Sequence, residues 1–311
     1  MKKAIVTGAS GFLGKYLVRE LIRNQYKVWA IVRSENSDIL DTINDDTCII
    51  YCTMNDILSL PYSINERIFD VFFHMAWDGN CGKKREDCNL QLKNVKASVE
   101  AAEIAAILKC NRFIGAGSVT ELMYRTYLTL DDCTPEMITC YAIGKISAEY
   151  LCRCICVKNN IEFIWPYIAN FYGIGDKTNN FINFLIQNYS SGISPNLTDG
   201  NQMADFLYVS DVARALRLLG EKGRDKHTYY VGYGAPKPLK YFIKITRDIV
   251  NPNIDAGIGR KVFHGLDIDY DNIDIKKIER DTGFKPEIKF ENGIYMLYQS
   301  IQSKSLMKIA K

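Results

Sequence analysis

Tyr141 and Lys145, in the stretch YAIGK, stand four residues apart within a helical pattern and so share one helix face. An ammonium beside a phenol favours the phenolate and draws the phenol pKa toward working pH. A tyrosine tuned in this way exchanges a proton with a carbinol or carbonyl oxygen. Taken alone, such a pair is most often an ordinary packed pair on a helix surface. Far upstream, the stretch IVTGASGFLGKYL sets Gly8, Gly11 and Gly14 three residues apart, directly after a short apolar run. Glycines there permit a tight turn, a close approach of backbone to a diphosphate and close packing of helix on strand. The N–H groups and positive dipole end of the helix then hold the phosphates, with Ser10, Phe12 and Leu13 completing the loop. A plain glycine-rich turn is the bland alternative, but a triplet between strand and helix favours a dinucleotide. Loop and Tyr–Lys pair together point to hydride transfer.

The end of the second strand bears on which dinucleotide is bound. An acidic residue there would grip the ribose hydroxyls of NAD and repel an added phosphate. Here the strand ends AIVRSEN, placing Arg33 and Ser34 at the deciding positions. A guanidinium there meets a ribose phosphate by charge-assisted hydrogen bonds, and the serine adds a hydroxyl donor. The expectation is NADP(H) in preference to NAD(H); a solvated surface arginine is the alternative.

Elements must position these groups, and the chain alternates strand and helix patterns. KKAIVTG, YKVWAIVR, TCIIYCTM, FDVFFHMA, RFIGAG and IEFIWPYIAN read as short, buried strands. Between them lie FLGKYLVRELIRNQ, with Leu13, Leu17, Val18, Leu21 and Ile22 on one face, and the longer helices NLQLKNVKASVEAAEIAAILKC and CYAIGKISAEYLCRCICVKN. Apolar strands separated by helices predict an α/β fold, a doubly wound parallel sheet covered on both faces. Beyond about residue 170 the texture becomes polar and less periodic. DFLYVSDVARALRLL and TYYVGYG read as a return to the main sheet, and the tail as short helices. The expected division is a dinucleotide-binding domain of residues 1–170 plus 205–233, and a smaller, discontinuous substrate domain of residues 171–204 plus 234–311.

Composition excludes several classes. The chain has 311 residues, 47% hydrophobic and 24% charged, with a net charge of +3. That charge is too small to predict binding to nucleic acid or an acidic membrane. No apolar run approaches a membrane span, and MKKAIVTGAS turns to glycine before a signal-peptide core could form, so a cytoplasmic protein is expected. The ten cysteines form no CxxC pair and histidines number three, which argues against zinc. They read as small apolar filler in a reducing compartment, including Cys152, Cys154 and Cys156 of CRCIC.

Across its whole length the chain resembles the extended short-chain dehydrogenase/reductases of the nucleotide-sugar epimerase and reductase type. The resemblance rests on TGASGFLG, FFHMAW, NVKASVEAA, GAGS, YAIGK, NFYGIGD, DFLYVSDVARA and DTGFKPEIKFENGI, in family order. It implies a catalytic set of Ser118, Tyr141 and Lys145, in which the serine hydroxyl polarises a carbonyl. It places Asp56 and Ile57 near the adenine, and Met75, Ala76 and Trp77 along the cofactor. It also puts Asn94, Tyr141, Lys145 and Tyr167 about the nicotinamide end, and Trp77, Ser118, Val119, Tyr141 and Asn170 at the substrate. Relatives of this type dimerise through the helices bearing Asn94 and Tyr141, so a homodimer is expected.

Departures from the family pattern narrow the chemistry. Val119 and Thr120 occupy the positions of the dehydratases' acid pair, and neither does acid–base work at neutral pH. Glu121, one residue on, is expected to point elsewhere, so dehydration is disfavoured. Ala204 and Trp165 replace arginines that commonly hold nucleotide phosphates, leaving Arg125, Lys177 and Arg214 as candidates. The resulting expectation is NADPH-dependent reduction of a nucleotide-linked 4-keto-deoxysugar. The alternatives are an NAD-dependent nucleotide-sugar 4-epimerase and a non-catalytic dinucleotide sensor.

Overall fold

Strands β1 (Lys2–Thr7), β2 (Tyr26–Val32), β3 (Thr47–Tyr51) and β4 (Val71–His74) are buried on both faces, apart from the rim strand β3, which is why they read as unbroken apolar runs. In this computed structural model they join β5 (Arg112–Gly115), β6 (Gly117–Ser118), β7 (Glu162–Ile168) and β11 (His227–Val231) in one parallel sheet, ordered β11-β7-β5-β4-β1-β2-β3. The structure describes residues 1–35 and 45–309, with side chains through 303. The strand order reverses between β1 and β4, the point at which a doubly wound sheet opens its ligand crevice.

Alternation along the strands divides the core. Val6, Phe73, Ile114 and Ile164 meet α1 (Phe12–Arg23), α7 (Val209–Lys222) and α9 (Lys277–Thr282) on one face. Ile5, Phe72, Phe113 and Phe163 meet α3 (Cys88–Ile107) and α5 (Cys140–Lys158) on the other. A row of stacked rings, Phe72, Phe113, Phe163 and Trp165, crosses the second face with centroids 5.6–6.2 Å apart. Leu17, Val18 and Leu21, expected on one face of α1, are buried there.

The stretch DFLYV does not return to the main sheet. Its strand β10 (Phe206–Tyr208) pairs in parallel with β8 (Asn170–Tyr172), as a separate two-stranded sheet. The reason lies in the side chains: Tyr172, Phe206 and Tyr208 join Phe242 and Phe290 in a second aromatic core. Helix α7, which follows directly, does pack on the main sheet. The short β9 (Met203–Ala204) and β12 (Lys237–Pro238) pair antiparallel. Helices α6 (Phe181–Ser190), α8 (Leu239–Val250) and α10 (Phe290–Ile309) line the second core. Helix α10 spans 20 residues, longer than the short tail helices expected.

The cysteine expectation needs one correction. Cys88 and Cys140 pair as a disulfide, with α-carbons 5.5 Å apart, across the adjacent N-termini of α3 and α5. Cys110, Cys152 and Cys156 are buried filler, whereas Cys81 and Cys154 are exposed. Cys152 and Cys156 thus belong to the chain's own core, as filler should. Among the described residues, no helix is long and apolar enough to cross a membrane.

Candidate active site

Gly8 adopts φ +67°, a left-handed conformation that favours glycine, and a Cβ there would press on the backbone of Ala76. A Cβ on Gly14 would strike the carbonyl of Gly8, so the turn closes only with glycine. Gly11 is the N-cap of α1, and no side chain caps the helix or places an acid in its first turn. The first-turn N–H groups therefore lack an intrahelical partner and present a positive end. Such a cradle fits the diphosphate of a dinucleotide. Phe12 stacks on Phe171 at 5.7 Å, and Leu13 packs against both cores, tying the loop to the second one. Arg33 and Ser34 are exposed just past the end of β2, as is Asp56 after β3, where it accepts from the Thr53 hydroxyl at 2.6 Å. Ile57 is buried and can offer only backbone.

A directed chain of hydrogen bonds runs beneath the loop. Ala76 N donates to Thr7 Oγ1 at 3.3 Å, and Thr7 Oγ1 lies 3.0 Å from His74 Nδ1. His74 Nε2 lies 3.0 Å from Ser98 Oγ, which donates to the Asn94 carbonyl at 2.8 Å. Because Ser98 spends its proton on that carbonyl, it accepts from Nε2–H, and Nδ1 accepts from Thr7. Burial pushes the His74 pKa down to about 3, with Lys145 adding to the effect, so the ring is neutral. The Asn94 amide donates to the Asp78 carbonyl at 2.7 Å and accepts from Asp78 N at 3.0 Å. Its side chain is thus committed to the loop after β4, which Gln91 also grips through Trp77 Nε1, Gly79 O and Lys84 O. Met75, Ala76 and Trp77 lie partly exposed at the start of this loop.

Ser118 ends the short strand β6 and caps α4 (Val119–Tyr127), a reciprocal capping box with Glu121. Its Oγ accepts from Thr120 N at 3.2 Å and donates to Thr120 Oγ1 at 3.1 Å. Glu121 turns into the core. It accepts from Ser118 N at 2.6 Å and Trp165 Nε1 at 3.0 Å. Trp165 also explains the glycines of GAGS, since a Cβ at Gly115 or Gly117 would run into its indole. Val119 is buried against Ala169, Tyr230 and Tyr270, and Asn170 is exposed at the start of β8.

Tyr141 and Lys145 do share a face of α5, but their relation differs from what spacing alone suggests. Lys145 Nζ donates to the Ala116 carbonyl at 2.6 Å and sits 3.6 Å over the Trp77 ring, against 6.0 Å to the Tyr141 ring. Burial lowers the Lys145 pKa and raises that of Glu121, while each charge favours the other. Burial pushes the Tyr141 phenol up to about 12, against a downward pull from the Arg85 guanidinium and then from Ser118. Arg85, which the sequence did not single out, is the cation nearest the phenol ring among the described contacts, 4.2 Å from its centroid.

Other expectations are redirected. The Tyr167 hydroxyl donates to Glu149 at 2.9 Å, and its ring lies in the core under α3 and α5. Glu149, one turn beyond Lys145, is buried and also takes Arg125 at 2.7 Å and Arg153 at 3.0 Å. Arg125 is therefore committed to an internal ion pair. Arg214 is committed likewise, to Asp211, Glu287 and the Lys285 carbonyl.

Comparison with known proteins agrees with this architecture. The chain belongs to the NAD dependent epimerase/dehydratase family, whose model matches residues 4–232. It is an enzyme of the extended short-chain dehydrogenase/reductase class, with NAD(P)-dependent oxidoreductase chemistry. Among its relatives, the CDP-abequose synthase of Salmonella typhimurium is 25% identical, covering 96% of this chain and 97% of that protein. The dTDP-4-dehydro-6-deoxyglucose reductase of Escherichia coli is 24% identical, covering 96% and 98%. The solved structure of a UDP-glucose 4-epimerase from Thermotoga maritima, at 19% identity, superposes with a TM-score of 0.78 over 97% of this chain and 99% of that one.

Proposed function

We propose that this enzyme reduces the ketone of a nucleotide-linked 4-keto-deoxysugar, with NADPH preferred over NADH. The observation that carries the reading is the meeting of Ser118 and Tyr141 at the end of the sheet, with Val119 and Thr120 beside them instead of an acid pair. The names of the CDP-abequose synthase and the deoxyglucose reductase are in keeping with it. A bound dihydronicotinamide supplies the hydride. Ser118 turns its hydroxyl from Thr120 to the carbonyl oxygen, polarising it. Tyr141 gives that oxygen its phenolic proton, and Lys145 carries positive charge close by. The cradle of Gly8, Gly11 and Gly14 contributes binding and placement. Exposed Arg33 and Ser34 receive the additional ribose phosphate of NADPH.

Residues 171–204 plus 234–311, most of which are built on the second aromatic core while α9 packs on the main sheet, form the substrate domain. Residues 1–170 plus 205–233 form the dinucleotide domain, with β10 reaching across into the second core. The partner is a second copy of this chain, joined through α3 and α5, whose outer faces expose Leu92 at 67% and Leu151 at 47%.

A thermal-shift screen of nucleotide sugars with NADPH present, followed by NADPH consumption at 340 nm, tests the reaction, because a true ligand stabilises only the folded form. Tyr141→Phe is expected to lower turnover by about 10²- to 10⁴-fold with folding intact. Unchanged turnover would remove the mechanism. The 4-epimerase reading predicts a retained cofactor that survives dialysis and interconversion without net NADPH loss.

A further inference from the structure

Arg85 lies on the short 3-10 segment Gly82–Glu86, in the loop between β4 and α3. The loop is not left to wander, because Gln91 of α3 donates to the Lys84 carbonyl at 2.9 Å and to the Gly79 carbonyl at 3.3 Å. From this support Arg85 reaches back over the active site. Its guanidinium carbon stands 4.2 Å from the centre of the Tyr141 ring, and Nη2 donates to Thr120 Oγ1 at 3.0 Å. Thr120 Oγ1 also takes the Ser118 hydroxyl, so one cation is linked to two of the three catalytic residues. Its Nε is buried without a hydrogen-bond partner among the described residues, a donor left over for an oxygen arriving with substrate.

We propose that Arg85 is an electrostatic positioning residue of this site. It holds the Tyr141 ring and Thr120, and it supplies the positive charge that makes the Tyr141 phenolate accessible. Its Nε–H is left to donate to an oxygen of the substrate. The proposal rests on the reading of Tyr141 as proton donor. Spacing in the sequence gives the charge to Lys145, yet the lysine is turned to Ala116 and Trp77, with its nitrogen 6.0 Å from the phenol ring centre. The other titratable groups acting on Tyr141 are Cys81 of the same loop and Glu121 of α4, and both oppose ionisation. Arg85 is thus the main countercharge to desolvation. A guanidinium suits the task, since it stacks on a ring face while its edge donates hydrogen bonds.

Two measurements decide it. The first needs no substrate: stopped-flow pH jumps read at 295 nm within milliseconds, as the difference between the protein and its Tyr141→Phe variant. The phenol midpoint is expected near 12. Arg85→Gln, measured against Arg85→Gln with Tyr141→Phe, is expected to raise it by roughly one unit. The second is the pH profile of kcat for keto-sugar reduction. There Arg85→Gln should cost roughly tenfold or more at neutral pH while NADPH affinity holds. Arg85→Lys separates charge from shape. Its ammonium is charged at pH 7 and neutral above about 10.4, so it should rescue turnover but not the alkaline midpoint. A side chain that merely braced the ring would show no such split. A midpoint that Arg85→Gln leaves in place overturns the proposal, as does a neutral-pH kcat unaffected by that change. If the unaltered protein reduces no keto-sugar, the proposed reaction fails and the substrate-free titration alone decides the role of Arg85.

Discussion

A phenol stripped of water keeps its proton, and a lysine stripped of water gives its proton up. Both side chains of the YAIGK pair are buried, so the phenol becomes a weaker proton donor and the ammonium a readier one. Single residues around them set the compensation: Arg85 for the phenol and Glu121 for the ammonium. The cofactor cradle depends on single positions in the same way. Gly8→Ala would force a side chain into a left-handed conformation and against Ala76. It is expected to weaken dinucleotide binding by at least about tenfold and to lower stability by about 1–3 kcal/mol, read by fluorescence titration and urea melts. At the rim, Arg33→Ala is expected to weaken NADPH by roughly tenfold while sparing NADH, since only the phosphorylated ribose uses a charge-assisted contact. Equal losses for both cofactors would remove the proposed preference.

Between residues and the whole stand the elements, and here the chain from Ala76 through Thr7, His74 and Ser98 to Asn94 matters most. It stitches β1, β4 and α3 together directly under the cradle, and it needs a neutral histidine. The folded pKa of His74, about 3, lies below the ordinary value of 6.5. Below that ordinary value the unfolded chain binds a proton that the folded protein refuses. The stability contribution is therefore complete above pH 6.5 and is lost as pH falls. Between pH 7 and pH 5 the expected loss is about 2 kcal/mol. Urea midpoints at the two pH values, compared with those of His74→Gln, check it: the variant should start lower and decline less. Parallel slopes would mean that the ring is not held neutral.

For the molecule as a whole, two cores share one hinge of side chains. Phe12 and Leu13 follow the glycine loop directly yet pack against the second core, and the Tyr16 hydroxyl donates to the Ile174 carbonyl at 2.9 Å. The α1 end that meets a cofactor's phosphates is thereby fastened to the segments proposed to bind sugar. On the opposite side of the sheet, α3 and α5 pack on each other and leave Leu92, Tyr150 and Leu151 uncovered. If two copies meet there, Leu151→Glu should convert a dimer to a monomer in sedimentation velocity without disturbing the chain's own core. A wild-type chain that sediments as a monomer would refute the pairing.

Much of this was legible in the order of residues. Strand and helix periods, the glycine triplet and the four-residue spacing of Tyr141 and Lys145 depend on neighbours within a turn or two, and such neighbours are fixed by the chain itself. From these follow the parallel sheet, the cradle and the shared helix face. Other features depend on segments brought together across long stretches of chain. Arg85 meets Tyr141 only because the loop after β4 folds over the start of α5. Trp165 demands glycine at 115 and 117 only because β7 lies beside β5 and β6. The partner of DFLYV, the pairing of Cys88 with Cys140 and the turning of Lys145 toward Ala116 belong to the same group. Local spacing determined which groups were available for chemistry. Tertiary packing decided which charges face one another, because burial and proximity, not sequence distance, set the strength of an electrostatic interaction.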